Sequence, residues 1–532
     1  MRPDPLKSGP GAAAAAPGHE HEGVRPGHRL LRVPGVTALL ALIASMLVIR
    51  LATLGSYPLM DTSEARYGEI ARVMLTTGNL VTPQEIPGTP FWAKPPLYAW
   101  LSVASMRLLG TNEFALRLPS FLCALGVLAL CASWSYSLGS RRTWSERTGA
   151  VLLAMAMLST SVLFFVSAGA VMTDPSLALC TTWMLAAFHH AAIRGSRAPI
   201  WRFGFFVAAG LGMLAKGPVI LLYVGAPVAI WTLWQRRLGW VWSALPWLTG
   251  TLLAGLICVP WYVLAEARTP GFLQYFLLGE HVMRFLKPGW GGDLYGTAHA
   301  EPLGTIWLYL AGALGTSTLL AAAAALGSAR GWMRAGPRRF AIEPEHALLL
   351  LASLVPVVFF SFAGNIIWTY VLPVLAPLAV LVADFLVPRI EHVARRRFAV
   401  LGTLVAAAML LGIAVFTWVP RHVAVHSSAG LVAQWRESTR SAPGVLVYLG
   451  RKAPASLRFY SDGAVQAIPD LARAMQGSDR ASDGYLALAP DRIDEIRRYA
   501  AAQLPALAVS AIGANSDLAL LRIHRVGPAG PP

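Results

Sequence analysis

Charge is what this sequence has least of. Of 532 residues only 13% are Asp, Glu, Lys or Arg, about half the share found in an ordinary soluble domain, while 55% are hydrophobic. That balance excludes a soluble globular chain. Cysteine is scarce too. Cys123, Cys131, Cys180 and Cys258 all lie inside apolar runs, without metal-ligand spacing, which argues against a thiolate metal site and for small apolar residues in helices. No glycine-rich phosphate loop is present, so no nucleotide is expected. Acidic residues are outnumbered, giving a formal net charge of +17. The Lys and Arg, however, sit in short clusters between apolar runs, the pattern of membrane-protein loops rather than of a nucleic-acid-binding surface.

What remains is a polytopic membrane protein. Apolar segments at 34–55, 114–138, 148–168, 175–193, 203–214, 217–235, 243–265, 303–327, 346–363, 369–387 and 398–419 predict eleven spans. Residues 96–111 predict an interfacial helix or half of another pair, so the expectation is 11–13 transmembrane helices. Residues 1–33, rich in Ala, Gly and Pro, read as a disordered cytoplasmic tail with no cleavable signal. With that tail inside, the inside loops carry Arg141, Arg142 and Arg147, then Arg194, Arg197 and Arg202, then Arg236 and Arg237, then Arg330, Arg334, Arg338 and Arg339, then Arg389 and Arg395 to Arg397. The short outer turns at 169–174 and 364–368 carry no Lys or Arg. The positive-inside rule therefore puts two long loops, 56–113 and 266–302, and the segment 420–532 on the outer face. Segment 420–532 alternates strand-like stretches (GVLVYLG, DGYLALAP) with amphipathic helical ones, which predicts a small soluble α/β domain without a catalytic motif.

Polar residues gather on that outer face. The stretch MDTSEARYGEIARVM follows the first span and carries Asp61, Glu64, Arg66, Glu69 and Arg72. Its spacing predicts a helix lying along the membrane surface, capped by Thr62 or Ser63. Glu69 and Arg72 read as its solvated side, whereas Asp61 stands at the mouth of the span, where a carboxylate is costly unless paired or used. In PFWAKPPLYAW, Lys94 is followed by two prolines that fix an extended backbone, which suits a phosphate or ordinary snorkelling. In VMTDPSLAL, Thr173 or Asp174 could cap a helix with Pro175 at its first position, and Asp174 could also serve a site. FLLGEHVMRFLK offers Glu280, His281 and Arg284, and LAKGP offers Lys216. Carboxylates and cations together at membrane level point to a ligand that is part lipid, part phosphate and part polar head.

The run YPLMDTSEARYGEIARVM, with PFWAKPPLYAWL, NEFALRLPS, TDPSLAL, MLAKGPV, PWYVLAEARTPGFLQYFLLGEHVMRFL and FFSFAGNIIWTYVLPVLAPLAV, closely resembles the bacterial aminoarabinose transferase family, related to protein O-mannosyltransferases. The resemblance covers about residues 50 to 385. It implies a C-type glycosyltransferase fold and transfer of a sugar, 4-amino-4-deoxy-L-arabinose or a related amino sugar, from undecaprenyl phosphate to lipid A phosphate at the periplasmic face of the inner membrane. Position by position it implies catalytic roles for Asp61 and Asp174 and carrier-phosphate contacts for Lys94, Arg284 and Tyr370. Glu64, Arg66, Lys216, Glu280 and His281 would serve the acceptor or a secondary role. Several members have Glu where this chain has Ala93 and His where it has Gly279; those positions resemble metal ligands, so no metal or other cofactor is expected here. The chain also reads GNIIW where a Lys-Leu-Pro is usual. The expected mechanism is inversion, with Lys94 and Arg284 stabilising the leaving phosphate and Asp61 acting as base for a hydroxyl acceptor or as an orienting charge for a phosphate acceptor. The rivals are the same fold acting on lipopolysaccharide core, another glycan or a protein hydroxyl, and a transporter or flippase. The last is disfavoured because the polar residues cluster at one face rather than mid-span.

Overall fold

Backbone polar groups in a bilayer must be satisfied within their own segment, and the apolar runs accordingly fold as helices. The computed structural model describes residues 34–138, 143–287, 289–296, 299–335, 342–390, 393–441, 444–476 and 484–525. The N-terminal tail, and with it Arg141, Arg142, Arg338 and Arg339, lies outside the described residues. Six described helices are each long and apolar enough to cross a membrane: Gly35–Ala52, Glu113–Leu138, Asp174–Ile193, Trp247–Arg268, Trp368–Ile390 and Ala394–Val425. The pair Thr305–Leu314 and Ser317–Arg334, bent by 113°, is apolar enough when taken together and forms either a broken span or a re-entrant loop. The chain is thus a multi-pass membrane protein.

All eleven apolar segments are helical, yet fewer are unbroken crossings. Segment 148–168 splits into Trp144–Ser159 and Val162–Ser167, because Ser161 starts a new helix by accepting from the N–H of Phe164. Segment 203–214 is the short helix Gly204–Lys216, and Pro344–Phe360 and Leu97–Leu109 are also shorter than a full crossing.

One face of the helical body carries the loops. There the helix Ser63–Thr77 leads into a hairpin of β1 (Gln84–Ile86) and β2 (Thr89–Pro90). Its turn places Gly88 at φ +84° after Pro87, the geometry that Pro then Gly favours in a type II turn. The C-terminal domain sits on this face. Its five strands are β3 (Leu446–Leu449), β4 (Gln466–Ile468), β5 (Gly484–Leu488), β6 (Leu507–Ala514) and β7 (Ala519–Arg525), in the spatial order β4-β3-β5-β7-β6. β3 runs parallel to β4 and β5, and β7 antiparallel to β5 and β6. Every residue of β5 is buried, as expected of a strand covered on both faces.

The domain is anchored rather than tethered. Ala455 and Phe459, from its helix Ala455–Tyr460, share one apolar core with Leu59, Ile70 and Met74 of the loop face. That contact overturns the expectation that Glu69 and Arg72 face water. Both are buried, at 1% and 7% exposure, in a two-pronged ion pair with Arg72 Nε and Nη2 at 2.7 and 2.8 Å from Glu69. A pattern of charge on one helix side is blind to a domain that arrives almost 400 residues later and covers it.

Candidate active site

Two polar cavities open on the loop-bearing face. The first, of about 220 Å³, is lined by Lys94, Lys216, Glu280, His281, Arg284 and Tyr370 together with apolar side chains. Each arrives by a short-range device. Lys94 is held between the hairpin and the helix Leu97–Leu109 by Pro95 and Pro96. Lys216 ends its helix because Gly217 adopts φ +81°; a side chain there would lie 2.5 Å from Phe276. Glu280 and His281 lie on a wide π-type turn, Tyr275–Met283, a distortion common at functional sites. Tyr370 enters on a 3₁₀ turn, Trp368–Val374, leading into a span.

Glu280 is the hub. Its carboxylate accepts from Lys94 Nζ at 2.9 Å, from Arg284 Nη1 at 2.9 and 3.1 Å and from the Tyr275 hydroxyl at 3.1 Å. Burial pushes this carboxyl up, but Lys94 and Arg284 outweigh it and hold it below the ordinary range. Burial works the other way on the Lys94 ammonium, where Glu280 prevails and raises it. Arg284 has a second partner, Asp293, 3.2 Å from its Nε. Behind the cavity Lys216 Nζ lies 2.5 Å from Asp174 and 5.0 Å from the centroid of the Tyr370 ring. The His281 ring nitrogens lie 2.7 Å from the carbonyl of Phe276 and 3.3 Å from that of Lys216, and burial pulls the imidazole below its usual range.

The second cavity, of about 360 Å³, lies between the loops and the C-terminal domain. Asp61, Arg66 and Glu85 line it from one side, and His426, Lys452, Asn515 and Asp517 from the other. Burial raises the Asp61 carboxyl above the ordinary range, opposed by hydrogen bonds from Ser456 and by the charge of Arg458. Glu85 ties the domain down through Lys452 at 2.6 Å and Arg458, and pairs on its own side with Arg66 at 3.8 Å. Two tyrosines link residues of the two cavities. Arg66 Nη1 donates to the Tyr295 carbonyl at 3.0 Å, and the Tyr295 ring meets Tyr275, the partner of Glu280, at 5.7 Å.

The structure thus divides the residues singled out in the sequence. Lys94, Lys216, Glu280, His281, Arg284 and Tyr370 converge in the first cavity, with Asp174 behind Lys216. Asp61 and Arg66 line the second. Glu64 lies in neither. Its two oxygens take Arg117 Nε and Nη2 at 2.8 and 3.0 Å, and the fully buried Arg117 also donates to the carbonyls of Leu54, Tyr57 and Pro58. This clamp turns the chain from the first span into the surface helix. No side-chain cap bond forms at Thr62 or Thr173; Glu64 instead accepts the N–H of Met60 at 3.3 Å. Among the described residues no group of three or more His, Cys, Asp or Glu is placed to hold a metal.

Sequence reasoning missed Arg117, Tyr275, Tyr295, Glu85 and the residues of the C-terminal domain. Arg117 carries one signal, a cation at the start of a long apolar helix. Ser428, Ser456 and Lys452 carry none.

A family model for dolichyl-phosphate-mannose-protein mannosyltransferase matches residues 35–276. The undecaprenyl phosphate-alpha-4-amino-4-deoxy-L-arabinose arabinosyl transferase of Aeromonas hydrophila is 31% identical over 393 residues, 72% of this chain and 66% of that protein. The protein of the same name from Pseudomonas savastanoi is 30% identical over 382 residues, 71% of this chain and 66% of that one. The chain therefore spans just under two thirds of the length of these curated relatives. Among solved structures, ArnT from Cupriavidus metallidurans bound to undecaprenyl phosphate superposes with a TM-score of 0.67 at 19% identity, over 93% of this chain and 99% of that one. Its apo state gives 0.67 at 18%, over 91% and 97%. The fold is accordingly that of these C-type glycosyltransferases.

Proposed function

We propose that this chain, which matches the mannosyltransferase model over residues 35–276 and is 31% identical to an aminoarabinose transferase over 72% of its length, is an inverting glycosyltransferase of that kind. It moves 4-amino-4-deoxy-L-arabinose, or a related amino sugar, from undecaprenyl phosphate to a phosphate of lipid A. The observation that carries this reading is the first cavity, where three cations stand against an apolar wall of Val219, Leu222, Phe285, Phe359 and Phe360. A ligand that suits both is an anionic head on a hydrocarbon tail. Leu286 and Phe359 are exposed beside it, which offers the tail an exit into lipid.

The chemistry follows from the charges. In a single displacement the bond between the anomeric carbon and the carrier phosphate oxygen breaks as an acceptor oxygen attacks from the opposite face. Lys94 and Arg284 stabilise the charge that gathers on the departing phosphate. Both have donors to give: an ammonium has three N–H bonds and a guanidinium five, and Glu280, Ala93 and Asp293 occupy only some of them. The sugar lies toward the second cavity, whose carboxylates suit an amine and hydroxyls. A lipid A phosphate is already anionic and needs no base, so Asp61 orients the reacting groups and offsets positive charge at the anomeric centre. The positive-inside rule favours a cytoplasmic position for the basic loops, which supports a site at the periplasmic side of the inner membrane.

The test is mass spectrometry of lipid A from cells with and without the gene. A pentosamine added at a phosphate, present only with the gene, is the expected result. An unchanged lipid A would contradict the acceptor and favour a hydroxyl on core, another glycan or a protein. The raised Asp61 carboxyl speaks for that second reading, since it suits a general base.

A further inference from the structure

Asp61 is held by the C-terminal domain, not by the membrane body. Its own N–H donates to the carbonyl of His426 at 3.0 Å. Its Oδ1 accepts the N–H of Ser456 at 3.0 Å, and its Oδ2 accepts the Ser456 hydroxyl. That hydroxyl has one proton, and its surroundings direct the proton at Asp61. The Ser456 oxygen accepts the N–H of Ser428 at 3.0 Å and lies 2.9 Å from the Ser428 oxygen. Both serines are buried, at 0% and 2% exposure, so water does not compete. Two donors, one on each oxygen, fix the carboxylate plane and favour its charged form.

We infer that Ser456 is a positioning residue for transfer: by donating to both carboxylate oxygens it aims Asp61 into the cavity between the loops and the C-terminal domain. This rests on the reading that Asp61 serves the reaction. It also gives the C-terminal domain a direct part in the site. Burial disfavours the Asp61 charge, and Ser456 is the largest opposing influence. The other charged or titratable groups around this carboxylate are Arg66 and Glu85 from the loops, His426 from the linker, and Lys452, Arg458 and Asp517 from the domain. They carry both signs, whereas among the described residues Ser456 alone donates to both carboxylate oxygens.

The experiment compares full-length wild type, Ser456→Ala, Ser456→Thr and Asp61→Asn in proteoliposomes. One readout is the pH midpoint at which a carbodiimide labels Asp61, followed by peptide mass spectrometry; it needs no substrate. The other is the pH dependence of sugar transfer from undecaprenyl-phosphate-linked aminoarabinose to lipid A. In Ser456→Ala the labelling midpoint and the acidic limb of transfer both move upward by about one pH unit, roughly tenfold in rate on that limb, with the melting temperature near wild type. Ser456→Thr, which keeps the hydroxyl, restores both. If both stay at wild-type values in Ser456→Ala while Asp61→Asn is inactive, the positioning role is wrong and the role of Asp61 stands. If Asp61→Asn transfers as well as wild type, the assignment of Asp61 falls, and this inference with it.

Discussion

The two cavities differ in sign and in what surrounds them. One sets Lys94, Lys216 and Arg284 against a single lining carboxylate, Glu280, with an aromatic and aliphatic wall. The other sets Asp61, Glu85 and Asp517 against Arg66 and Lys452, and its far side is a separate domain. A membrane enzyme that splits a sugar from a lipid phosphate needs these two environments side by side. The leaving group gains negative charge while the anomeric centre gains positive charge, so one uniform site could not favour both. The difference also shows how the work is divided along the chain: the cationic half is built from loops of the membrane body, the acidic half from a loop and the tail.

The comparison breaks most completely if the frame beneath it is removed. Arg117→Met leaves Glu64 without its partner at the turn out of the first span. Loss of one member of a buried pair costs about 3–5 kcal/mol, to be seen as a large drop in melting temperature and in purified yield, and both cavities are lost together. A narrower break is Lys94→Met or Arg284→Ala. Each should lower transfer by about 10²–10³-fold, the usual consequence of losing a donor to developing charge, with the protein still folded and Asp61 labelling unchanged.

The pH profile separates the cavities by a smaller effect. Burial holds the Asp61 carboxyl above the ordinary carboxylate range, so transfer should fall, about tenfold for each unit, as pH drops through that raised value. The Lys94 ammonium is raised as well, by Glu280, so it keeps its charge beyond the ordinary lysine range and imposes no basic limb near neutrality. An acidic limb that survives in Asp61→Asn would assign it to another group. The smallest change is Lys452→Ala. Its side chain is 49% exposed, and its bond to Glu85 is worth at most about 1 kcal/mol after solvent screening. Glu85 keeps Arg458, so stability should shift by a degree or two and transfer by less than about threefold.

Much of the fold and half of the site are legible in the amino-acid sequence. The apolar runs locate the helices, because a bilayer leaves the backbone no alternative. Lys94, Glu280 and Arg284 stand out because a charge at a membrane edge demands a reason. Breaks within helices are harder to read: Ser161 looks like any polar residue in an apolar run until its side chain is seen to cap. The acidic cavity is half hidden. Asp61 is visible, but Ser456 lies 395 residues away in a segment without a motif, and a buried serine has no periodic signature. Glu69 and Arg72 mislead for the same reason, since the surface that covers them is far along the chain.

Binding of undecaprenyl phosphate to the purified protein, measured by a titration in detergent, tests the division of labour most directly. Wild type and Asp61→Asn should bind alike, while Lys94→Met and Arg284→Ala should each bind at least about tenfold more weakly, the scale of one charge-assisted contact. Equal binding by all four proteins, or a loss confined to Asp61→Asn, would contradict the assignment of the carrier phosphate to the cationic cavity.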